Sequence, residues 1–489
     1  MKKENLFLHS AFAEEGAFIK NDEVIKWLKE QNKKVNVKIT KIPFNQLKLW
    51  NVGENDISHS SGKFFSIVGI NVKTNWDTVS EWEQPIINQP EVGFLGFITK
   101  EFDGVLHFLM QAKIEPGNIN HVQLSPTLQA TKSNYTKAHK GNTPLYLEYF
   151  QQATQEQILL DQLQSEQGAR FLKKRNRNII IKIDEEIPVY DNFIWLTLGQ
   201  LKKLMTIDNL VNMDTRTVIS GIPFGDFGNK STSFRPTGKI YFSNEISPFS
   251  RNDNYLNILP ANTSEIKKMF FKSALEKENS LYSIDNIISF ITKQKSFYEL
   301  EVTQIPLKNM KHWHYTENEI HHEQHKYFKV IAVDVEIGNR EVISWTQPMV
   351  EPMQEGLCVF ICKEINGILH FAVQTKLECG NFDIIELAPT IQTLTGNYKE
   401  RNKVPLPFLD YALNAKKENI IYDTYQSEEG GRFYREQNRN MIILAEKEFP
   451  TTLPDNFIWL TLNQLYTFLK FNNYLNIQAR NLIASISFI

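Results

Sequence analysis

Apolar and polar positions alternate strictly along "GVLHFLMQAKIE" (104–115). Leu106, Phe108, Met110, Ala112 and Ile114 fall on one face, and His107, Gln111, Lys113 and Glu115 on the other, which is the two-residue period of a β-strand. The preceding "VGFLGFITKEFDG" predicts a second strand, with Asp103-Gly104 closing a hairpin between them. "NIIIKI" (178–183) and "NMIILA" (440–445) predict further strands. "PLYLEYFQQATQEQILLDQLQ" (144–164) and "WLTLGQLKKLM" (195–205) predict helices, the second entered at a Thr-Leu step and ended by lysines. The expected class is α+β.

The same pattern returns 262–264 positions later. "WEQPII" at Trp82 reappears as "WTQPMV" at Trp345, "SEQGARF" at Ser165 as "SEEGGRF" at Ser427, and "DNFIWLTLGQL" at Asp191 as "DNFIWLTLNQL" at Asp455. Residues 84–118 share 16 of 35 positions with 347–381 without a gap, which marks an internal duplication. Residues 221–257 are rich in Gly, Ser, Asn and Pro, as expected of a connection. The expected division is a first repeat over 1–220, a linker or surface loop over 221–280 and a second repeat over 281–489.

Both copies keep the polar stripe, as His107, Gln111, Lys113 and Glu115 and as His370, Gln374, Lys376 and Glu378. A solvated outer face is the ordinary explanation of such a stripe. Its retention in two copies, beside a non-matching Leu109 and Ala372, favours the lining of a polar pocket. Arg170, Lys173, Lys174, Arg175 and Arg177 cluster after the first "SEQG" run, and Arg432, Arg435 and Arg439 after the second. Guanidinium groups suit phosphate oxygens through paired hydrogen bonds, so Arg170, Arg175 and Arg432 are candidates for an anionic ligand. Trp82, Tyr135 and Tyr146 are suited either to stack a base or sugar or simply to fill a core.

Composition narrows the class. Lys+Arg 54 against Asp+Glu 56 gives no global footprint for nucleic acid. Three cysteines form no disulfide framework, and no apolar run reaches membrane-spanning length, so a cytoplasmic protein is expected. "HWHYTENEIHHEQH" (312–325) has only His59 as a counterpart in the first repeat and fits no standard zinc spacing, so no metal is expected. Neither a dinucleotide fingerprint nor a P-loop occurs.

The segments "HFLMQAKIEPGNINHVQLSPTLQATKSNYTKAHKG", "LQSEQGARFLKKRNRN", "FIWLTLGQL" and "NLVNMDTRTVISGIP", with "ELAPTIQ", "SEEGGRF" and "NYLNIQAR" in the second half, resemble the NDP-hexose 2,3-dehydratases over nearly the whole chain. The resemblance implies two Nudix-like modules in tandem, a homodimer and two nucleotide-binding pockets per subunit. It also implies elimination of the C2 hydroxyl of dTDP-4-keto-6-deoxy-D-glucose without a cofactor, the diketo product passing to an NADPH-dependent 3-ketoreductase. The metal-binding box of Nudix hydrolases is absent from both halves, which fits a metal-free lyase better than a hydrolase.

The resemblance makes Glu115, Lys113, Tyr135 and His139 the candidates for catalysis. Asn118, Gln123, Ser125, Thr127, Gln129, Thr131, Ser133, Asn134 and Ser165 join Trp82, His107, Gln111, Arg170 and Arg175 as substrate contacts. In the second repeat His370, Gln374, Lys376, Glu378, Asn381, Thr390, Tyr398, Ser427 and Arg432 are expected to form an auxiliary nucleotide pocket. Ser125, Thr131, Ser133, Thr136 and His139 are replaced there by Ala388, Leu394, Gly396, Lys399 and Asn402, which favours the first pocket as catalytic. A non-catalytic nucleotide-sugar scaffold and an NDP-sugar pyrophosphohydrolase are the alternative readings.

Overall fold

The structure is a computed structural model that describes residues 3–76, 78–131, 144–224, 232–234, 240–242, 258–338, 344–395 and 406–489. Each repeat opens with two helices, Lys3–Phe12 and Asn21–Lys33 in the first, Glu265–Leu275 and Ile284–Phe297 in the second. Val24, Leu28 and Gln31 recur at helical spacing and are buried, as are Ile287, Ile291 and Gln294. Gln31 and Gln294 donate to the carbonyls of Asp191 and Asp455, so one polar anchor is used twice. Part of the span expected to be a loop over 221–280 is therefore helix: Phe270, Phe271, Ser273 and Ala274 of Glu265–Leu275 are buried.

Each repeat then builds a seven-stranded mixed sheet. In the first, the order is Ile158–Ser165, Arg175–Lys182, Gly93–Phe102, Val105–Ile114 and Phe193–Thr197, with Val122–Ser125 and Leu128–Ala130 paired to the central strands. Asp103 and Gly104 turn with φ 50° and 78°, as the hairpin requires. The helix expected over 144–164 is confined to Leu147–Gln151; Ile158–Ser165 is instead a strand, paired antiparallel with Arg175–Lys182. The helix expected over 195–205 begins only at Leu198, where Thr197 caps it by accepting from the Gln200 amide.

Two smaller sheets interlock the repeats. Val37–Ile42 of the first repeat pairs antiparallel with Phe328–Ile337 of the second, Val37 opposite Ile337 through Ile42 opposite Ala332. Leu300–Ile305 of the second returns the exchange, pairing with Ser66–Thr74 from Leu300 opposite Thr74 to Ile305 opposite Gly69. The inner faces of the large sheets share one core that includes Phe108, Met110, Phe360 and Phe371.

Two buried guanidinium groups bridge the halves. Arg216 donates to Gln426 Oε1 at 2.7 Å and to the Ser427 carbonyl at 2.5 Å. Arg480 donates to the Ser165 carbonyl and to Thr217 Oγ1 at 3.2 Å. Such acceptors are what make a buried charge tolerable. Among the described residues no helix is long and apolar enough to cross a membrane.

Candidate functional site

The exchange carries functional side chains as well as strands. The "SEEGGRF" segment of the second repeat lies against "EPGN" (115–118) of the first: the Gly117 amide donates to the Gly430 carbonyl at 2.7 Å, and Arg435 N–H to the Gly117 carbonyl at 2.8 Å. "SEQGARF" of the first repeat meets "ECGN" (378–381) of the second in the same way, through Gly380 to Gly168 at 2.7 Å. Gly117 and Gly380 are needed for close approach. A Cβ on Gly117 would sit 1.6 Å from the Phe433 carbonyl oxygen, and one on Gly380 1.8 Å from that of Phe171.

A cavity of about 1110 Å³ lies at the first of these crossings. Its polar wall comes from Gln111, Lys113 and Glu115 of strand Val105–Ile114 and the turn after it, with Thr127, Gln129 and Thr131 beside them. Lys113 and Glu115 are 12% and 4% exposed at the side chain, which rules out a solvated outer face. Lys113 Nζ stands 3.9 Å from Glu115 Oε1, and Gln129 Nε2 donates to that oxygen at 2.7 Å. Glu166, Lys174, Asn176 and Asp214 complete the first repeat's share.

The second repeat supplies Glu429, Gly431, Arg432 and Trp345. Arg432 lies over the Phe65 ring, 4.1 Å from its centroid, and donates to Gln89 at 3.2 Å. Trp50, Phe64 and Phe65 form an aromatic side of the cavity.

The charges are crowded enough to move protons. Asp214, on the first turn of helix Met213–Ser220, is held well above the usual carboxylate range by burial and then by Glu115, Glu429 and Glu166, with Lys113 opposing. Burial pushes Glu429 up to about 7 despite Arg432, with Glu115 and Glu166 adding to the rise. Burial also raises Glu166, against Arg480 and Lys174. Lys174 is lowered to about 8 by burial, Glu166 opposing.

Several residues expected in the pocket serve the fold instead. His107 is at the far end of its strand, away from the cavity, with Nδ1 bonded to the Val105 carbonyl at 2.9 Å and Nε2 accepting from the Ala17 amide at 3.3 Å. His370 repeats this with the Ile368 carbonyl and the Leu281 amide. Ser165 bonds Glu386 and Ser427 bonds Gln123, so all four link the repeats. Ser125 accepts from Asn212 at 2.6 Å, behind Gln129. Asn118 donates to the His121 carbonyl within its own turn, and Asn381 stands against Gly168. Thr127 lines the cavity, but its hydroxyl is engaged by the Leu109 carbonyl, as that of Thr390 is by Ala372.

The arginines exchange places relative to expectation. Arg432 serves the first-repeat cavity, whereas Arg170 lies over Phe328 of the second repeat, 4.0 Å from the centroid. Arg175 stacks on Phe382 at 4.1 Å and does not line the cavity. Trp82 is likewise outside it, bonded to Gln84, while its counterpart Trp345 is inside. The second repeat holds an analogous cluster: Gln392 donates to Glu378 at 2.8 Å, Lys376 to the Gln392 carbonyl at 3.4 Å, and Gln374 to the Pro389 carbonyl at 2.9 Å.

Ser133, Asn134, Tyr135, His139 and Tyr398 lie outside the described residues. Among those described, no group of three His, Cys, Asp or Glu side chains is placed to hold a metal ion. Asp214, Glu429, Glu166, Lys174 and Trp345 were not anticipated as site residues. The signal was available for two of them, since Asp214 and Glu429 stand where the other repeat has Gln478 and Gln167.

The sequence comparisons agree over nearly the whole chain. A family profile described as NDP-hexose 2,3-dehydratase matches residues 21–222 and 284–486, once per repeat. A dTDP-4-dehydro-6-deoxy-alpha-D-glucopyranose 2,3-dehydratase of Saccharopolyspora spinosa is 42% identical over 484 residues, covering 98% of this chain and 94% of the relative. Proteins of the same description from Amycolatopsis orientalis and Streptomyces violaceoruber are each 38% identical, over 98% and 94% of this chain and 92% and 95% of their own lengths. The chain belongs to the NDP-hexose 2,3-dehydratase family and is a carbon–oxygen lyase.

Proposed function

We propose that the cavity binds dTDP-4-keto-6-deoxy-D-glucose and eliminates its C2 hydroxyl, giving a 3,4-diketo-2,6-dideoxy sugar nucleotide. The observation that carries this reading is the set of interleaved carboxylates and cations, Glu115, Glu166, Asp214 and Glu429 with Lys113, Lys174 and Arg432, along one cavity. A volume of about 1110 Å³ suits a ligand as large as a sugar nucleotide. Arg432 is the candidate for the diphosphate, and the aromatic side offers Trp50 and Trp345 to the base.

The C4 ketone acidifies the C3 proton, so the reaction needs a base at C3, a donor for the C4 oxygen and an acid for the departing hydroxyl. Glu115, His139 and Tyr135 remain the candidates for the base, and Lys113 for stabilising the enolate. The reaction is redox-neutral and calls for no cofactor. The second repeat's cluster is read as an auxiliary nucleotide site. Two Nudix-like modules, one per repeat, a homodimer and a cytoplasmic location complete the proposal, the product passing to an NADPH-dependent 3-ketoreductase.

Incubation with dTDP-4-keto-6-deoxyglucose, with and without chelator, tests it. Diketo product insensitive to chelator is expected. Release of nucleoside monophosphate would indicate a pyrophosphohydrolase, and unchanged substrate a binding scaffold.

A further inference from the structure

The duplication provides an internal control for which cavity residues perform chemistry. This inference rests on the reaction proposed above. Gln111, Lys113, Glu115 and Gln129 recur as Gln374, Lys376, Glu378 and Gln392, so they do not distinguish a catalytic site from an auxiliary one. Asp214 does: at the equivalent position of the second repeat the helix Ile477–Ser485 carries Gln478, which cannot give up a proton.

Asp214 is also rigidly placed. Its helix is capped by Asn212, whose Oδ1 accepts from Thr215 N–H at 2.9 Å and whose Nδ2 donates to Ser125 at 2.6 Å. The Asn212 amide is fixed to the Leu124 carbonyl at 3.0 Å. The side chain is 3% exposed overall, lines the cavity and faces Glu115, Glu429, Glu166 and Lys113. Burial and three carboxylates around it favour a proton on Asp214. The helix N-terminus and Lys113 stabilise the anion left when that proton is given away.

We propose that Asp214 is the acid that protonates the departing C2 hydroxyl. Removal of the C3 proton places its electron pair in a C3–C4 enolate. Re-forming the C4 carbonyl moves a pair into the C2–C3 bond as the C2–O bond breaks. The bond pair leaves on the C2 oxygen, which takes the Asp214 proton and departs as water. The C3 enol then ketonises with protonation at C2.

The test is Asp214→Gln, which installs the residue the other repeat already carries in the same helical setting, with Asp214→Asn as a second variant should the first melt well below wild type. In D2O the variant is expected to exchange the substrate C3 proton at near the wild-type rate while elimination falls about 10²–10⁴-fold, the range for loss of a general acid. A 2-deoxy-2-fluoro analogue needs no protonation to lose its C2 substituent, so fluoride release is expected within a few-fold of wild type. Equal losses with hydroxyl and fluoride leaving groups, or elimination of water at the wild-type rate, would overturn the assignment. Failure of the wild-type protein to form the diketo product would instead refute the reaction itself.

Discussion

Substituting Gly117 by alanine probes the crossing that joins the two repeats at the cavity. The new Cβ would lie 1.6 Å from the Phe433 carbonyl oxygen and 2.8 Å from that of Gly430. Both are backbone atoms, and the Phe433 amide is tied to the Glu429 carbonyl at 3.0 Å, so relief requires the segments to separate. Separation weakens two bonds across the crossing, Gly117 to Gly430 at 2.7 Å and Arg435 to Gly117 at 2.8 Å. At about 1 kcal/mol for each bond and about 1–3 kcal/mol for overpacking, the cost is roughly 3–5 kcal/mol. That is a large fraction of the ~5–15 kcal/mol by which proteins are ordinarily stable. A fall in melting temperature of roughly 3–5 °C is expected by calorimetry, at about 1 °C per kcal/mol for a chain of 489 residues. Turnover should fall with it, because Glu115 and Glu429 flank the crossing. Gly338→Ala, where an added Cβ meets nothing within 4 Å, is the control and should change stability by less than about 0.5 kcal/mol. A Gly117→Ala protein that melts within about 0.5 °C of wild type and turns over normally would refute the reasoning, that threshold corresponding to about 0.5 kcal/mol.

Two further predictions concern buried titratable groups. Lys202 is fully enclosed and lowered to about 7 by burial, with its ammonium donating to the Ala484 carbonyl at 2.5 Å. Between about pH 7 and the ordinary lysine value the unfolded chain holds the extra proton, so this group makes stability rise with pH. Lys202→Met should therefore melt higher than wild type near pH 7, and the gap should narrow as pH rises towards 10. His107, which anchors the Ala17 amide, is lowered by burial. Replacing it by alanine should cost about 2–4 kcal/mol at neutral pH and leave KM unchanged in steady-state assays. The wild-type advantage should shrink below about pH 6.5, where the unfolded chain takes up the proton first.

The sequence made the local pattern legible because it lies in side-chain periodicity: the strand Val105–Ile114, its hairpin at Asp103-Gly104 and the polar wall of Gln111, Lys113 and Glu115 follow directly from alternation. The strand exchange was not legible. Val37–Ile42 and Leu300–Ile305 are duplicates with the same alternating character, so nothing local distinguishes pairing within a repeat from pairing across repeats. The same ambiguity misplaced Arg170 and Arg432: Arg432 lines the cavity of the first repeat, and Arg170 lies over Phe328 of the second. Ile158–Ser165 was read as helix because its glutamines and leucines favour one, and tertiary pairing overrides that preference. Asp214 escaped notice beside the more conspicuous Arg216 of "NMDTR", although its replacement by Gln478 in the second copy marks the difference between the two sites.

The second repeat completes the lining of the first repeat's cavity, and turnover of Arg432→Ala measures what that lining contributes. Loss of a charge-assisted contact to the diphosphate is worth about 1.5–3 kcal/mol, or roughly a 10- to 150-fold fall in kcat/KM. Arg439, paired at 2.6 Å with Asp423 on the exposed face of the same repeat, provides the comparison, and Arg439→Ala should turn over like wild type. A folded Arg432→Ala protein with undiminished kcat/KM would show that the first cavity works without the second half of the chain.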